Sequence, residues 1–223
     1  PTGKEANHYY AARETDSALL QVCGKGENQY EKFLFYRGVG TFDLPLSAVL
    51  RGETLTLKTS TGQRGIPYLA LRRDAQGMSH WRGIVDGEKT IDFPGHMHAP
   101  AGAIQADLQR MLVKAGLYEK EAAAMVKTWE DSWFGPGLRV FYLLPQAETD
   151  RVLPLRVTPV PKELKRVLVG RLEILTPELE QAILELVKSG RIEEAAKTHG
   201  RFAEPALKLL LAKETDPKRR EEI

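Results

Sequence analysis

The clearest helical pattern of apolar positions lies between residues 118 and 134. Five apolar residues recur there with the spacing of one face of an α-helix: Ala122, Met125, Val126, Trp129 and Trp133. The Gly-Pro-Gly turn at residues 135–137 ends this helix, because proline lacks an N–H and glycine tolerates positive φ. Residues 138–144 are almost all apolar, which predicts a strand buried on both faces.

Short β-rich segments separated by turn residues fill the first part of the chain. Seven strands are predicted, at residues 18–23, 30–37, 44–50, 53–59, 66–73, 78–85 and 88–93. The pair Asp86-Gly87 between the last two strands is a strong hairpin signal, because a type I′ turn needs positive φ at both central positions. This regular spacing is typical of an antiparallel β-sandwich.

Helices and strands mix in the second part of the chain. Apolar spacing predicts a helix over residues 103–115 and a short polar helix over 146–152. Strands are predicted at 155–160 and 166–175, and Gly170 is expected to mark a bulge. With residues 138–144 these segments predict a second sheet.

Three short helices are predicted at the carboxyl end, with Thr176 and Pro177 forming the capped start of the first. The fold class is therefore α+β: an N-terminal antiparallel β-sandwich-like region, a mixed α/β region and a C-terminal helical cluster. The domain boundaries follow the composition: residues 1–14 are an arm or linker, 15–94 a β-sandwich-like domain, 95–102 a linker, 103–213 an α+β domain, and 214–223 a frayed charged tail.

Charge and composition exclude some classes of function. The 32 basic and 30 acidic residues almost cancel, which argues against nucleic acid as a partner. No run of apolar residues is long enough to predict a membrane-spanning helix. The chain begins with Pro1 rather than methionine, so we expect a processed or truncated piece. Cys23 cannot form an internal disulfide alone, and we expect a small buried hydrophobe at the end of a strand.

His96 and His98 form the one close histidine pair and are a candidate zinc site. Two residues apart in an extended chain, both imidazoles point the same way. A mononuclear zinc site needs further ligands, and no distant residue is singled out by spacing. A metal-assisted hydrolase would use this pair with a carboxylate such as Glu121 or Glu130, and an exposed loop without metal is the other interpretation.

The tryptophans are a second candidate. Trp81, Trp129 and Trp133 would suit a carbohydrate-binding surface, because sugar rings stack on indoles. The helical spacing of Trp129 and Trp133 equally matches a core-facing stripe. The familiar nucleophile-elbow, phosphate-loop and metalloprotease motifs do not occur.

Several stretches resemble an uncharacterised bacterial protein family. They are HYYAARETDS at 8–17, EKFLFYRGVG at 31–40, LYEKEAAAMVKTWEDSWF at 117–134, LRVFYLLP at 138–145, VGRLEILTPE at 169–178 and GRFAEPALKLLL at 200–211. The resemblance implies a C-terminal portion of an exported protein, periplasmic or extracellular, although a cytoplasmic location stays open. The resemblance implies no particular activity and identifies no catalytic residue.

Together these observations predict a non-catalytic binding or structural module of a bacterial envelope or secreted protein, with a protein or carbohydrate partner. The alternatives are a hydrolase, metal-assisted or not, and a carbohydrate-binding module.

Overall fold

The computed structural model describes residues 8–23, 26, 28–34, 42–60, 62–75, 77–93, 99–200, 203–213, 215 and 220. Within these residues the chain forms seven α-helices and nine β-strands, which confirms the α+β class. None of the helices in this described part combines the length and the apolar character needed to cross a bilayer.

The strands form three antiparallel sheets. The first is a two-stranded ribbon of β1 (Leu20–Val22) and β2 (Gln29–Glu31). The second has the order β3-β4-β7, with β3 at Leu46–Arg51, β4 at Thr54–Thr59 and β7 at Glu88–Asp92. The third has the order β6-β5-β8-β9, with β5 at Ile66–Asp74, β6 at Gly77–Val85, β8 at Gly137–Leu144 and β9 at Leu168–Ile174.

The prediction of a separate second sheet is wrong. Strand β8 pairs with β5 on one side and β9 on the other, so segments assigned to two domains share one sheet. Residues 155–160 form no strand, and Leu155 and Val160 are exposed. Prolines 154, 159 and 161 explain this, because they offer no N–H to a ladder.

Alternate residues of the four-stranded sheet face two different layers. One face packs on the β3-β4-β7 sheet, and there Ile66 and Val140 of the four-stranded sheet share a core with Leu57 of β4. The other face packs on three helices, α1 (Ala101–Lys114), α2 (Glu119–Thr128) and α3 (Glu130–Trp133). The predicted single helix over 118–134 is therefore two helices, which meet at Trp129 with φ −104°.

Gly170 does not mark a bulge, because the β8–β9 register runs without offset from Leu138↔Ile174 to Leu144↔Leu168. It is instead the end of a cross-strand row in which Gly83, Tyr68, Tyr142 and Gly170 lie opposite one another on four neighbouring strands. A Cβ at Gly170 would lie 2.1 Å from Cζ of Tyr142. The glycine therefore makes room for a buried tyrosine ring.

The other helices lie at the two ends of the described chain and between β8 and β9. His8–Arg13, predicted as part of an arm or linker, is a 3-10 helix whose Tyr9 ring meets Trp129 edge-on at 6.1 Å. The remaining helices are α4 (Gln146–Val152), α5 (Pro177–Lys188), α6 (Ile192–His199) and α7 (Ala203–Lys213). Thr176 caps α5, since its hydroxyl accepts the Leu179 N–H at 3.3 Å.

Candidate functional site

A cleft of about 400 Å³ lies between the edge strand β6 and helix α1. Its floor is apolar and includes Pro67, Leu69, Ile84, Met111 and Leu143. Its charged residues are Arg82, Asp107, Arg110 and Lys114. Three cations and one carboxylate therefore border an apolar surface.

The periodicity of each element brings these charges together. On β6, His80 and Arg82 lie opposite Leu71 and Leu69, so their side chains are on the helix-covered face of the sheet. On α1, Asp107, Arg110 and Lys114 are spaced as i, i+3 and i+7, which places them along one flank of the helix.

Asp107 is the centre of the cluster, and its side chain is only 9% exposed. His80 Nε2 lies 2.6 Å from Oδ2, and Arg82 Nε lies 3.1 Å from Oδ1. Arg110 also donates to Oδ1. One carboxylate thus fixes the side chains of a strand and a helix against each other.

Burial alone raises the pKa of Asp107, because it removes the charged form from water. The hydrogen bonds from His80 and Arg110, with the charges of Arg82 and Arg110, outweigh that effect and bring the pKa below its ordinary value. Asp107 is therefore ionised at neutral pH, and His80 Nε2 must carry the proton that it shares.

The His80–Asp107 pair does not present a base to the cleft. The free nitrogen, Nδ1, is buried, and among the described residues no atom forms a hydrogen bond with it. A general base must come within hydrogen-bond reach of the proton that it removes. His80 instead positions the Asp107 carboxylate through the hydrogen bond between them.

The guanidinium groups are the accessible part of the site. Arg82 and Arg110 are 63% and 65% exposed at the side chain, and each uses only some of its donors on Asp107. With Lys114 they leave a net positive rim above the apolar floor. This arrangement suits a ligand that has an anionic group on an apolar body.

A larger cleft of about 520 Å³ lies between the sheet and helices α5 and α6. Its charges are largely paired within the protein: Arg72 pairs with Glu53 and Asp74, and Glu173 pairs with Arg139 and Arg171. It therefore offers less unbalanced charge to a ligand than the β6–α1 cleft.

The candidate metal pair falls outside the described residues, since His96 and His98 are both in the gap at 94–98. Of the two carboxylates considered with them, Glu121 accepts the N–H of Tyr118 at 2.9 Å and Glu130 accepts from Gln105 at 2.7 Å. Within the described ranges no group of three or more histidine, cysteine, aspartate or glutamate residues is arranged to hold a metal. Cys23, expected to be buried, is exposed, because β1 lies in the small outer ribbon.

The structure does not bring the three tryptophans together. Trp81 packs on the core between the two sheets, 4.4 Å from the Phe93 ring. Trp129 and Trp133 stack on each other in the core under the helices, on the opposite face of the sheet. A single sugar-binding surface built from all three does not form.

The residues of the cleft were missed by sequence reasoning. Asp107 was the available signal, because it interrupts the predicted apolar face formed by Ile104, Leu108 and Met111. Its main partner, His80, lies 27 residues earlier on a strand, and spacing gives no link between them.

Comparison with protein-family models, with curated proteins and with solved structures finds no match to this chain.

Replacing Asp107 by asparagine is expected to lower the free energy of unfolding by about 1.5–3 kcal/mol at pH 7, because three charge-assisted contacts are lost. A carboxyl whose pKa is lowered in the folded state adds stability above its unfolded pKa of about 3.9, and this stability is lost as the pH falls through the folded pKa. The difference between the two proteins should therefore shrink below about pH 4. Urea unfolding from pH 7 to pH 3 measures it. Asp86→Asn is the control, since Asn-Gly keeps the turn, and an equal loss at pH 7 and pH 3 would contradict the explanation.

Proposed function

We propose that this chain is a non-catalytic binding module of a bacterial envelope or secreted protein, and that it holds a ligand with an anionic group on an apolar body. The observation that supports this most is the β6–α1 cleft, where Arg82, Arg110 and Lys114 border an apolar floor. The bacterial and exported setting rests on the resemblance of the sequence stretches alone.

Asp107 accounts for the specificity of the proposed site. It holds Arg82 and Arg110 side by side, so that their remaining donors are arranged before a ligand arrives. Pre-arranged donors lose less conformational entropy when they bind than mobile surface side chains do. The carboxylate also neutralises part of the positive charge, which favours ligands that add apolar contact to one anionic group.

Naphthyl phosphate tests this proposal, because it joins a phosphate to an apolar ring. We expect saturable binding by isothermal titration calorimetry, and weaker binding of both inorganic phosphate and neutral naphthalenemethanol. The double variant Arg82→Gln/Lys114→Gln should bind naphthyl phosphate about tenfold more weakly or worse, since charge-assisted contacts are worth about 1.5–3 kcal/mol each.

The matched control is Arg51→Gln/Lys58→Gln, which removes the same two charges from exposed positions on the β3-β4-β7 sheet. It should bind naphthyl phosphate as the native protein does. If both double variants lose equally, or if neutral naphthalenemethanol binds as well as the phosphate, the cleft is not an anion site.

A further inference from the structure

The outer edge of β6 forms one wall of the cleft. In the described part of the chain β6 is the last strand of its sheet, and its residues Arg82, Gly83 and Ile84 are exposed. At the other end of the strand Met78 is covered, because its carbonyl accepts the Ala99 N–H at 2.7 Å. The exposed part of the edge therefore begins at Arg82, which is also the cation that β6 contributes to the rim of the cleft.

The direction of the backbone groups along β6 follows from two observations. Because the Met78 carbonyl accepts the N–H of Ala99, which lies outside the sheet, the backbone groups of Met78 point away from β5. Residues in an antiparallel strand alternate in this respect, so Arg82 and Ile84 also point their N–H and C=O groups outward. Pro67 agrees with this assignment, since it lies opposite Ile84 and has no N–H to give to β6.

The side chains of Arg82 and Ile84 lie on the same face as α1. They are two residues apart, and they lie opposite Leu69 and Pro67. Any strand added at this edge would place alternate side chains beside them, above the flank of α1 that carries Arg110 and Lys114. One such side chain would meet the cations, and its neighbour two residues away would meet Ile84, which is 57% exposed.

We propose that the ligand is an extended acidic peptide that pairs antiparallel with the outer edge of β6, with a carboxylate side chain held by Arg82, Arg110 and Lys114. This inference rests on the proposed anion-binding function and names its ligand class. Strand addition to a free sheet edge is a recurring mode of peptide recognition. A phosphodiester chain offers no alternating N–H and C=O groups to the two open positions, so the edge favours a peptide over a nucleic acid. The antiparallel direction matches every other pairing in this sheet.

The probe is a heptapeptide, TVTETVT, acetylated and amidated so that it has no terminal charge. Its apolar residues flank the glutamate symmetrically. In the antiparallel register the glutamate lies opposite Arg82 and one valine lies opposite Ile84. We expect saturable binding by fluorescence polarisation of a labelled peptide, and about tenfold weaker binding when glutamine replaces the glutamate.

N-methylation of the peptide separates backbone pairing from charge. Methyl groups on the amides of glutamate and of the valine opposite Ile84 fall on the N–H groups that bond to β6, and they should reduce affinity by more than about tenfold. Methyl groups on the threonine amides that follow each of these residues point away from β6 and should have little effect. The inference is overturned if the two N-methylated peptides lose affinity equally, or if the threonine-methylated peptide loses more. It is also overturned if TVTETVT shows no saturable binding.

A protein variant tests the same contact from the other side. Ile84→Pro removes one outward N–H, and an edge strand tolerates proline at such a position. Ile84→Ala keeps the N–H and removes a similar amount of side chain. The proline variant should bind TVTETVT about fivefold more weakly than the alanine variant, because it lacks the outward N–H. If naphthyl phosphate binding depends on Arg82 and Lys114 but N-methylation and Ile84→Pro have no effect, the anion site stands and the strand pairing fails.

Discussion

Replacing Arg139 by methionine is expected to destabilise the protein by about 3–5 kcal/mol, because it breaks a buried ion pair from one side. The Arg139 side chain is 2% exposed, and its Nε donates to Glu173 at 3.1 Å. Its other donors bind three carbonyl oxygens at the end of α3 and in the turn after it: those of Trp133 at 2.8 Å, Gly135 at 2.6 Å and Pro136 at 2.6 Å. Methionine keeps most of the apolar stem, so the loss reports the polar contacts.

Urea unfolding followed by circular dichroism measures this loss. Arg51→Met is the matched control, since Arg51 is exposed at the end of β3, and its effect should stay within about 0.5 kcal/mol. Arg139→Lys keeps the positive charge but not the planar fork of donors, and should recover only part of the loss. A loss below about 1 kcal/mol for Arg139→Met would show that the turn after α3 does not depend on these hydrogen bonds.

The strand that carries Arg139 could be predicted from the sequence, but its partner strands could not. The apolar run at 138–144 predicted a strand buried on both faces, and β8 is that strand, from Gly137 to Leu144. The pattern is local, so it is visible in the sequence. The partner strand β5 lies about 70 residues earlier, and nothing in the run shows which strand it joins. The contact of Arg139 with Glu173 depends on the pairing of β8 with β9, and its contacts with the three carbonyl oxygens depend on the turn before β8.

The same limit applies to the cleft. The strand carrying His80 and Arg82 and the helix carrying Asp107 were both predicted at nearly their observed positions. Their juxtaposition depends on how α1 crosses the sheet, which the two periodicities do not determine. The candidate residues that the sequence favoured were chosen by residue type, as tryptophans or as neighbouring histidines. The cleft residues are ordinary charged residues whose chemistry comes from their arrangement around a buried carboxylate.

Replacing Gly170 by alanine is expected to destabilise the protein by about 3 kcal/mol, the upper end of the usual cost of overpacking. The new Cβ would lie 2.1 Å from Cζ and 2.4 Å from Cε1 of Tyr142, directly across the β8–β9 ladder. Tyr142 is 1% exposed and lies in the core between the two sheets, so its ring has little room to move. Gly83→Ala is the matched control at the other end of the row. Its Cβ would meet the Tyr68 ring at 3.2 Å, and its cost should stay below about 1 kcal/mol.

A second measurement separates a displaced ring from general destabilisation. Burial raises the pKa of Tyr142 to about 12. If alanine at position 170 pushes the ring towards solvent, the pKa of Tyr142 should fall towards its ordinary value of about 10, as tyrosinate absorbance in alkaline titration would show. Adding Tyr142→Leu to Gly170→Ala should cost less than the sum of the two single changes, because the shorter side chain removes the clash. Additive losses would instead mean that Gly170 is needed for a reason other than the ring it faces.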